Sequence, residues 1–368
     1  MPPTPDAIQG SDFIVEKTNW HNTSLVSSPI DGSLEPGEVL FRVDRFALTS
    51  NNISYAMAGD MLGYWKFFPT EEGWGRIPAM GFGDVMRSEH PDVAEGERYF
   101  GFFPMSHYLV VQASSVNPTS FSDAASHRSD TAPVYRQYMN TKHDAMYRED
   151  REDQMMLLRG LFMTSFLVDD FIEDNDFFGA QDFVISSASS KTAIALATLL
   201  ARRSRGRVIG LTSPRNRAFV ESLSGYDEVV VYAEIKSLAS DVPVVFIDHS
   251  GNGEVVDSLH HHLGDNLKYS CMVGGTHWDS SNRSNDLPGA RPTFFFAPAQ
   301  IQKRAQEWGP AGFQERLGDA WHRFDASSDA WLEVQRGAGA ADLERVYQDI
   351  LDGRAQPHHG HVLSLWDA

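Results

Sequence analysis

Cysteine is almost absent: Cys271 is the sole thiol among 368 residues. One thiol can neither close a disulfide within the chain nor furnish a cysteine-cluster zinc site. Cys271 falls inside the apolar run 269–273, which suits a core residue. No apolar run reaches the length of a membrane-spanning helix, and the N-terminus lacks a signal-peptide core. The chain therefore reads as soluble, with a cytoplasmic location expected. Positive charge is scarce: 31 Lys and Arg stand against 50 Asp and Glu, a formal net charge of −19. That balance argues against nucleic acid and anionic membranes as main partners. Neither a Gly-x-Ser-x-Gly elbow nor a Walker lysine motif is found, so hydrolase and NTPase readings have no support. Internal repeats and low-complexity blocks are missing as well. The length favours two domains over one, and a hydrophobic content of 42% is enough for a sizeable core.

The chain is organised around residues 182–217. Asp182-Phe183-Val184-Ile185 is a short apolar run ended by small polar residues, as in a central parallel strand. Ser186-Ser187-Ala188-Ser189-Ser190-Lys191-Thr192 follows, then helix formers over 194–201 and a second apolar run from Val208. Strand, tight turn, helix and strand make a βαβ unit whose turn points backbone N–H groups at whatever lies over the helix N-terminus. A dinucleotide site normally has glycines here, and Ala188, Ser190 and Ala193 stand in their places. In exchange the turn carries hydroxyls at Ser187, Ser189, Ser190 and Thr192 and a cation at Lys191, all able to contact phosphate oxygens. It is either a phosphate cradle or a Ser-rich turn that caps a helix. At the second strand end, Leu211-Thr212-Ser213-Pro214-Arg215 holds no carboxylate for a ribose 2′-OH. Thr212, Ser213 and Arg215 would instead favour a phosphorylated dinucleotide, or Arg215 is simply a surface residue at a helix start.

Residues 1–120 look all-β, with short apolar runs at 38–43, 81–86, 98–103 and 108–111 between turn signals, as in a small barrel or sandwich. Thr49-Ser50-Asn51-Asn52-Ile53-Ser54-Tyr55 and Gly63-Tyr64-Trp65-Lys66-Phe67-Phe68-Pro69 are dense in aromatics and amides, and read as a pocket wall or a satellite hydrophobic cluster. Residues 121–153 are polar and charged and read as a long surface connection, a lid or a dimer contact. A helix is expected over 154–171, and strands and helices then alternate to residue 296, which implies a parallel sheet covered on both faces. Ligands in such sheets lie outside the carboxyl ends of the strands. That nominates residues 186–192, 212–215, 249–251 and 274–277 as one rim, including His249, Ser250, Gly275 and His277. Helices over 298–308, 312–324 and 339–351 and a last strand at 360–365 complete the chain. His260-His261-His262 lie on adjacent helix positions that cannot converge on one ion and are expected on the helix surface. His358, His359 and His361 are expected in a surface turn.

With its elements in this order, the chain resembles the medium-chain dehydrogenase/reductase superfamily, nearest to a zinc-free, quinone-oxidoreductase-like branch that includes an uncharacterised family. Asn51-Asn52 sits where relatives carry a polar motif, and Gly96-Glu97-Arg98-Tyr99-Phe100-Gly101 resembles their Gly-Asp-Arg-Val-x-Gly turn. Residues 186–193 occupy the glycine-motif position, and Thr212-Ser213-Pro214-Arg215 resembles the stretch that selects NADP. The run from Ser222 to Tyr232 and Phe246-Ile247-Asp248-His249-Ser250-Gly251 resemble later family segments. The resemblance implies an α/β protein with a GroES-like β-barrel domain (1–153, with the polar insertion), a Rossmann-like doubly wound parallel-sheet domain (154–296) and a C-terminal segment (297–368) returning to the first. It implies NADP(H) held by Ser187, Ser189, Ser190, Lys191, Thr192, Thr212, Ser213, Arg215, Tyr232, Ser250 and Gly275. Hydride would pass to a polarised C=C or C=O of a small substrate, apolar or aromatic to judge from Trp65, Phe67, Phe68, Trp278 and Phe296. Tyr55 and Tyr64 would donate the proton, oriented by Asn52, because a phenol can both donate and shuttle. Each tyrosine is otherwise a packing residue. The zinc cysteines of the metal alcohol dehydrogenases are missing, so no metal is expected in catalysis. Relatives commonly form homodimers. A relative that binds a nucleotide or small molecule without turnover is the alternative.

Overall fold

The protein is described here by a computed structural model covering residues 7–273 and 287–367. The chain forms two compact units, Met1–Leu157 with Leu332–Ala368, and Leu158–Trp331. In chain order the first unit contributes β1 (Ser11–Glu16), β2 (Asn19–Ser27), β3 (Glu38–Leu48), α1 (Ser50–Met57), β4 (Trp74–Gly75), β5 (Pro78–Ser88), β6 (Arg98–Pro104), β7 (Tyr108–Asn117), β8 (Ser120–Asp123) and β9 (Gln137–Asn140). The unit boundary falls within α2 (Glu152–Asp174). The second unit holds β10 (Asp182–Ile185), α3 (Lys191–Arg203), β11 (Arg207–Thr212), α4 (Arg217–Glu221), β12 (Glu228–Val231), β13 (Val244–Asp248), α5 (Gly253–Leu263), β14 (Leu267–Met272), β15 (Pro292–Phe294) and α6 (Ala297–Ser328). The chain then returns to the first unit with β16 (Glu333–Ala338), α7 (Gly339–Leu351) and β17 (His359–Ser364).

In the first unit β3, β5, β6, β9, β8 and β7 pair in sequence, and β3 pairs with β7 to close a ring of six strands. Closure removes the exposed edges that short antiparallel strands would otherwise present. Alternate residues point inward, and Phe41, Phe103, Phe121 and Tyr138 meet there, with ring centroids 5.3–5.4 Å apart for the Phe41–Phe103, Phe41–Tyr138 and Phe121–Tyr138 pairs. Gly101 is required by this packing, since a Cβ there would lie 2.8 Å from the Tyr138 ring. The β17 strand continues the sheet from the far end of β3, and β16 is its edge strand.

The run 121–153 is not the surface connection its charge suggested. It supplies most of β8 and all of β9 to the barrel, and its Asp123, Arg128, Glu152 and Asp153 are buried. Arg128 is fully buried, its Nη1 3.0 Å from Asp123 and 3.0 Å from the Tyr138 hydroxyl. Its guanidinium packs over the rings of Phe67 and Phe68. Glu152 is also buried and takes hydrogen bonds from Arg45, Arg98 and Tyr147, while Asp153 pairs with Arg336. Long-range ion pairing of this kind has no periodicity that a sequence reading could detect.

The second unit is a six-stranded parallel sheet in the order β12-β11-β10-β13-β14-β15, with strand order reversing between β10 and β13. Its central strands are buried throughout, which explains their continuous apolar runs. The expected return of the chain at residue 297 is corrected. The helix α6 belongs to the second unit and the return starts at Leu332. The two helices expected over 298–308 and 312–324 are present: α6 breaks at Gly309, which has φ 73°, and Pro310 next to it cannot supply an N–H. On α5, His260 is fully buried rather than on the surface, bonded to Pro288 O and Ser270 Oγ at 3.0 Å each. The adjacent imidazoles do diverge, and His261 is exposed.

Candidate functional site

In the second unit, three strand ends meet at the reversal point, where doubly wound sheets receive ligands. The turn after β10 leads into α3. Ser187 there adopts φ 52°, the left-handed conformation that a glycine would take at no cost. Ser190 is the N-cap of α3, its hydroxyl accepting from Ala193 N at 3.3 Å. The turn lies against β11, where a Cβ on Gly210 would come within 2.9 Å of Ala188 Cβ. Two phenols brace it: Ser187 N donates to Tyr232 Oη at 3.0 Å, and Tyr226 Oη donates to Ala188 O at 2.9 Å. Ala188 N and Ser190 N are bonded to Leu211 O and Ser187 O. Much of the turn's backbone is thus already engaged, which leaves the helix N-terminus and the side chains as the groups able to meet an anion.

Those side chains are gathered on the same rim. Asn216, just after Arg215, donates to Ser189 Oγ at 2.9 Å and ties the loop after β11 to the turn. Arg215 is exposed, Ser213 half-buried and Thr212 buried. Lys191 is half-buried, and burial pulls its ammonium down to about 8. After β13, the buried Asp248 takes three hydrogen bonds on Oδ1, from Ser186 Oγ at 2.6 Å, Ser250 Oγ at 2.7 Å and Ser250 N at 2.9 Å. Ser250 is therefore committed to shaping its own loop. His249, whose imidazole burial pulls down to about 4, stays neutral. Asp248 Oδ2 and His249 Nε2 are buried and without a hydrogen-bond partner among the described residues. A site built to receive a polar ligand leaves such atoms open. Left-handed backbone at Ser187 and the hydroxyls and cations along the rim fit the phosphates of a dinucleotide, whereas Asp248 Oδ2, an acceptor only, suits a donor such as a ribose hydroxyl. Gly275, His277 and Trp278 lie outside the described residues.

In the first unit, α1 carries Tyr55, whose ring centroid is 4.8 Å from that of Tyr64. Asn51 Nδ2 donates to Tyr55 Oη at 2.9 Å, and the Tyr64 and Tyr135 hydroxyls are 3.4 Å apart. Donation into the Tyr55 oxygen leaves its own proton free to go elsewhere. Burial, then the neighbouring Tyr135, pushes both Tyr55 and Tyr64 above the usual phenol range, so both stay protonated at neutral pH. The amide expected to orient them was Asn52, and that expectation is corrected. Asn52 is buried and accepts from Thr49 N at 2.7 Å while donating to Pro78 O at 2.9 Å, which caps α1. Phe67 and Phe68 are core residues rather than pocket lining, whereas the mostly buried Trp65 also lines a cavity with Lys17, Asp60, Lys66 and His127. Tyr135 went unnoticed because it lies in the charged run, and Asn216 because a lone amide after an arginine carries no pattern. Asp248 could have been found as a carboxylate closing a buried apolar strand.

Residues 46–356 match the family described as "Protein of unknown function (DUF2855)". The chain belongs to that family. Among proteins with curated descriptions none matches this sequence. Solved structures share its fold along the whole length. CurA from Vibrio vulnificus in complex with NADPH superposes with a TM-score of 0.61 at 10% identity, over 97% of this chain and 100% of that one. The yhdH oxidoreductase from Salmonella enterica in complex with NADP gives 0.55 at 14% identity, over 96% and 99%. A mutant form of enoyl thioester reductase from Candida tropicalis gives 0.56 at 11% identity, over 97% and 100%. The barrel unit is GroES-like and the sheet unit Rossmann-like, so this family member has the medium-chain dehydrogenase/reductase fold. Among its described residues no helix is long and apolar enough to cross a membrane.

Proposed function

We propose that this family member is a zinc-independent, NADPH-dependent oxidoreductase that reduces a C=C or C=O of a small apolar or aromatic carbonyl compound. The observation that carries this reading is the Ser-Lys turn at the sheet's reversal point, left-handed at Ser187 and capped into α3. Folds with a known bound NADPH or NADP add support, in CurA and yhdH. NADPH, when bound, supplies a hydride equivalent. The N-terminus of α3 with Ser189, Ser190, Lys191 and Thr192 holds the diphosphate, and Ser213 and Arg215 take the 2′-phosphate. Tyr55 and Tyr64, kept neutral by burial, donate a hydrogen bond or proton to the oxygen on which charge develops. Asn51 fixes Tyr55, and Tyr135 relays to Tyr64. Catalysis of this kind needs no thiolate-bound metal. A cytoplasmic homodimer is the state we expect, and sedimentation measures it.

The test is titration of the protein with NADPH and NADH, followed by nicotinamide fluorescence and thermal shift. NADPH is expected to stabilise the protein in preference to NADH, with the preference lost in Arg215→Ala. No shift with either nucleotide refutes the reading. The second reading is a relative that binds a nucleotide or small molecule without turnover, and its small-molecule form is favoured by Tyr232, which already fills the Ser187 N–H that a cofactor phosphate would use. NADPH binding with no oxidation across a panel of quinones, enones and aldehydes would select that alternative.

A further inference from the structure

The edge of the barrel sheet carries a cluster that has no part in nucleotide binding or proton donation. Parallel pairing of β16 with β17 sets Glu333 directly opposite His359. Residues directly opposite in a ladder share a face of the sheet, so the carboxylate and the imidazole stand side by side, with Glu333 Oε2 3.7 Å from His359 Nε2. His358 precedes the strand, and its backbone carbonyl accepts from Glu333 N at 2.9 Å, which holds the two chain segments together at this point. The His358 and His359 rings lie 4.3 Å apart between centroids. One ligand atom from each of Glu333, His358 and His359 falls within 4.8 Å of the others. We propose that these three residues bind a divalent transition-metal ion of the zinc class and clip β16 to β17.

The donor set is two imidazoles and one carboxylate, which suits Zn²⁺ and its neighbours rather than Mg²⁺ or Ca²⁺. Ligand bonds of about 2.0–2.2 Å place two ligands about 3.3 Å apart in a tetrahedron. The Glu333–His359 separation is already near that value, and Glu333 is exposed enough to make up the rest by side-chain rotation. The carboxylate is also oriented from behind. Gln335 Nε2 donates to Glu333 Oε1 at 2.5 Å, leaving Oε2 on the histidine side. Ligating carboxylates are commonly held by a hydrogen bond of this sort, and Gln335 is that outer support here. Gly360, between His359 and His361, faces the other way, where a Cβ would come within 2.5 Å of Leu157 Cδ1. The histidines on either side are thereby kept on the opposite face. His361 lies further along, its ring centroid 6.1 Å from that of His359, outside the convergent set. With three protein ligands, water completes the coordination sphere, and the ion joins Glu333 to a segment that follows the whole of α7.

The experiment uses the full-length chain without an affinity tag, stripped with chelator and titrated with Zn²⁺ by calorimetry, and with Co²⁺ by visible absorption. One ion per chain is expected at this cluster, with a rise in melting temperature. His358→Ala, His359→Ala and Glu333→Gln should each weaken binding by about tenfold or more, and Gln335→Ala by roughly tenfold. Exposed His261→Ala should leave binding unchanged, and circular dichroism confirms that each variant folds. Absence of Zn²⁺ binding, or binding that survives intact in both His358→Ala and Glu333→Gln, overturns the proposal. The NADPH titration is independent of this outcome.

Discussion

Glu152→Gln tests the least visible feature of the first unit. Glu152 has a side chain only 4% exposed and accepts from Arg45 Nη2 at 2.6 Å, Arg98 Nε at 2.7 Å, Arg98 Nη2 at 2.8 Å and Tyr147 Oη at 2.9 Å. Removing one partner of a buried pair usually costs about 3–5 kcal/mol, because the remaining charge is left desolvated. Here the loss is smaller. Arg98 keeps Asp44 at 2.6 Å and Asp84 at 2.8 Å, and Arg45 keeps Asp153 at 3.4 Å. Both guanidiniums also reach some water. A cost of about 2–3 kcal/mol is expected, a fall of roughly 4–12 °C in the transition of the first unit. Calorimetry with both units resolved measures it. Burial pushes the Glu152 carboxyl up, but its hydrogen bonds with Arg98 outweigh this and hold it below the usual carboxylate range. Its contribution is therefore complete above the unfolded value of about 4.3 and lost as pH falls through the lower folded value. The gap between wild type and Glu152→Gln should close in acid. A change below about 1 kcal/mol at neutral pH, the size of a surface pair, would refute the reasoning.

Three further outcomes follow from the sites. Ser187→Gly should raise stability by up to about 1 kcal/mol, since relief of left-handed strain exceeds the entropy of a freer unfolded chain, whereas Ser187→Val should lower it; a loss in both variants would show that the turn is unstrained. NADPH affinity should fall as pH rises through about 8, where Lys191 loses its charge, and Lys191→Met should flatten that profile in a fluorescence titration; an unchanged slope would remove Lys191 from phosphate binding. In steady-state reduction of a responsive enone or quinone, Tyr55→Phe should lower kcat by about 10²-fold and Asn51→Ala by less. Wild-type kcat in Tyr55→Phe would reduce the phenol to packing.

The second unit was legible from residue pattern. Its buried strands are continuous apolar runs, its helices start at caps such as Ser190 and Asn252, and sequential βαβ units leave few topologies open. Residue pattern left the first unit open between a barrel and a sandwich and only the resemblance implied a barrel, since the β3–β7 pairing joins segments that no local signal connects. Charge was the least reliable guide. Glu152, Asp153 and Arg128 resemble solvated residues until their partners are known. His260 resembles a surface residue until Ser270 and Pro288 are seen to satisfy both ring nitrogens.

By itself the sequence determined the order of elements, the burial of Cys271 and the chemistry along the rim of the parallel sheet, because strand and helix periods and residue types are local properties. Only the tertiary structure decided that Asn51 rather than Asn52 holds Tyr55, that Tyr232 engages the Ser187 N–H, and that Glu333 meets His358 and His359. Hydrogen bonds and ion pairs depend on positions to within a fraction of an ångström, and chain folding sets those positions between residues far apart in sequence.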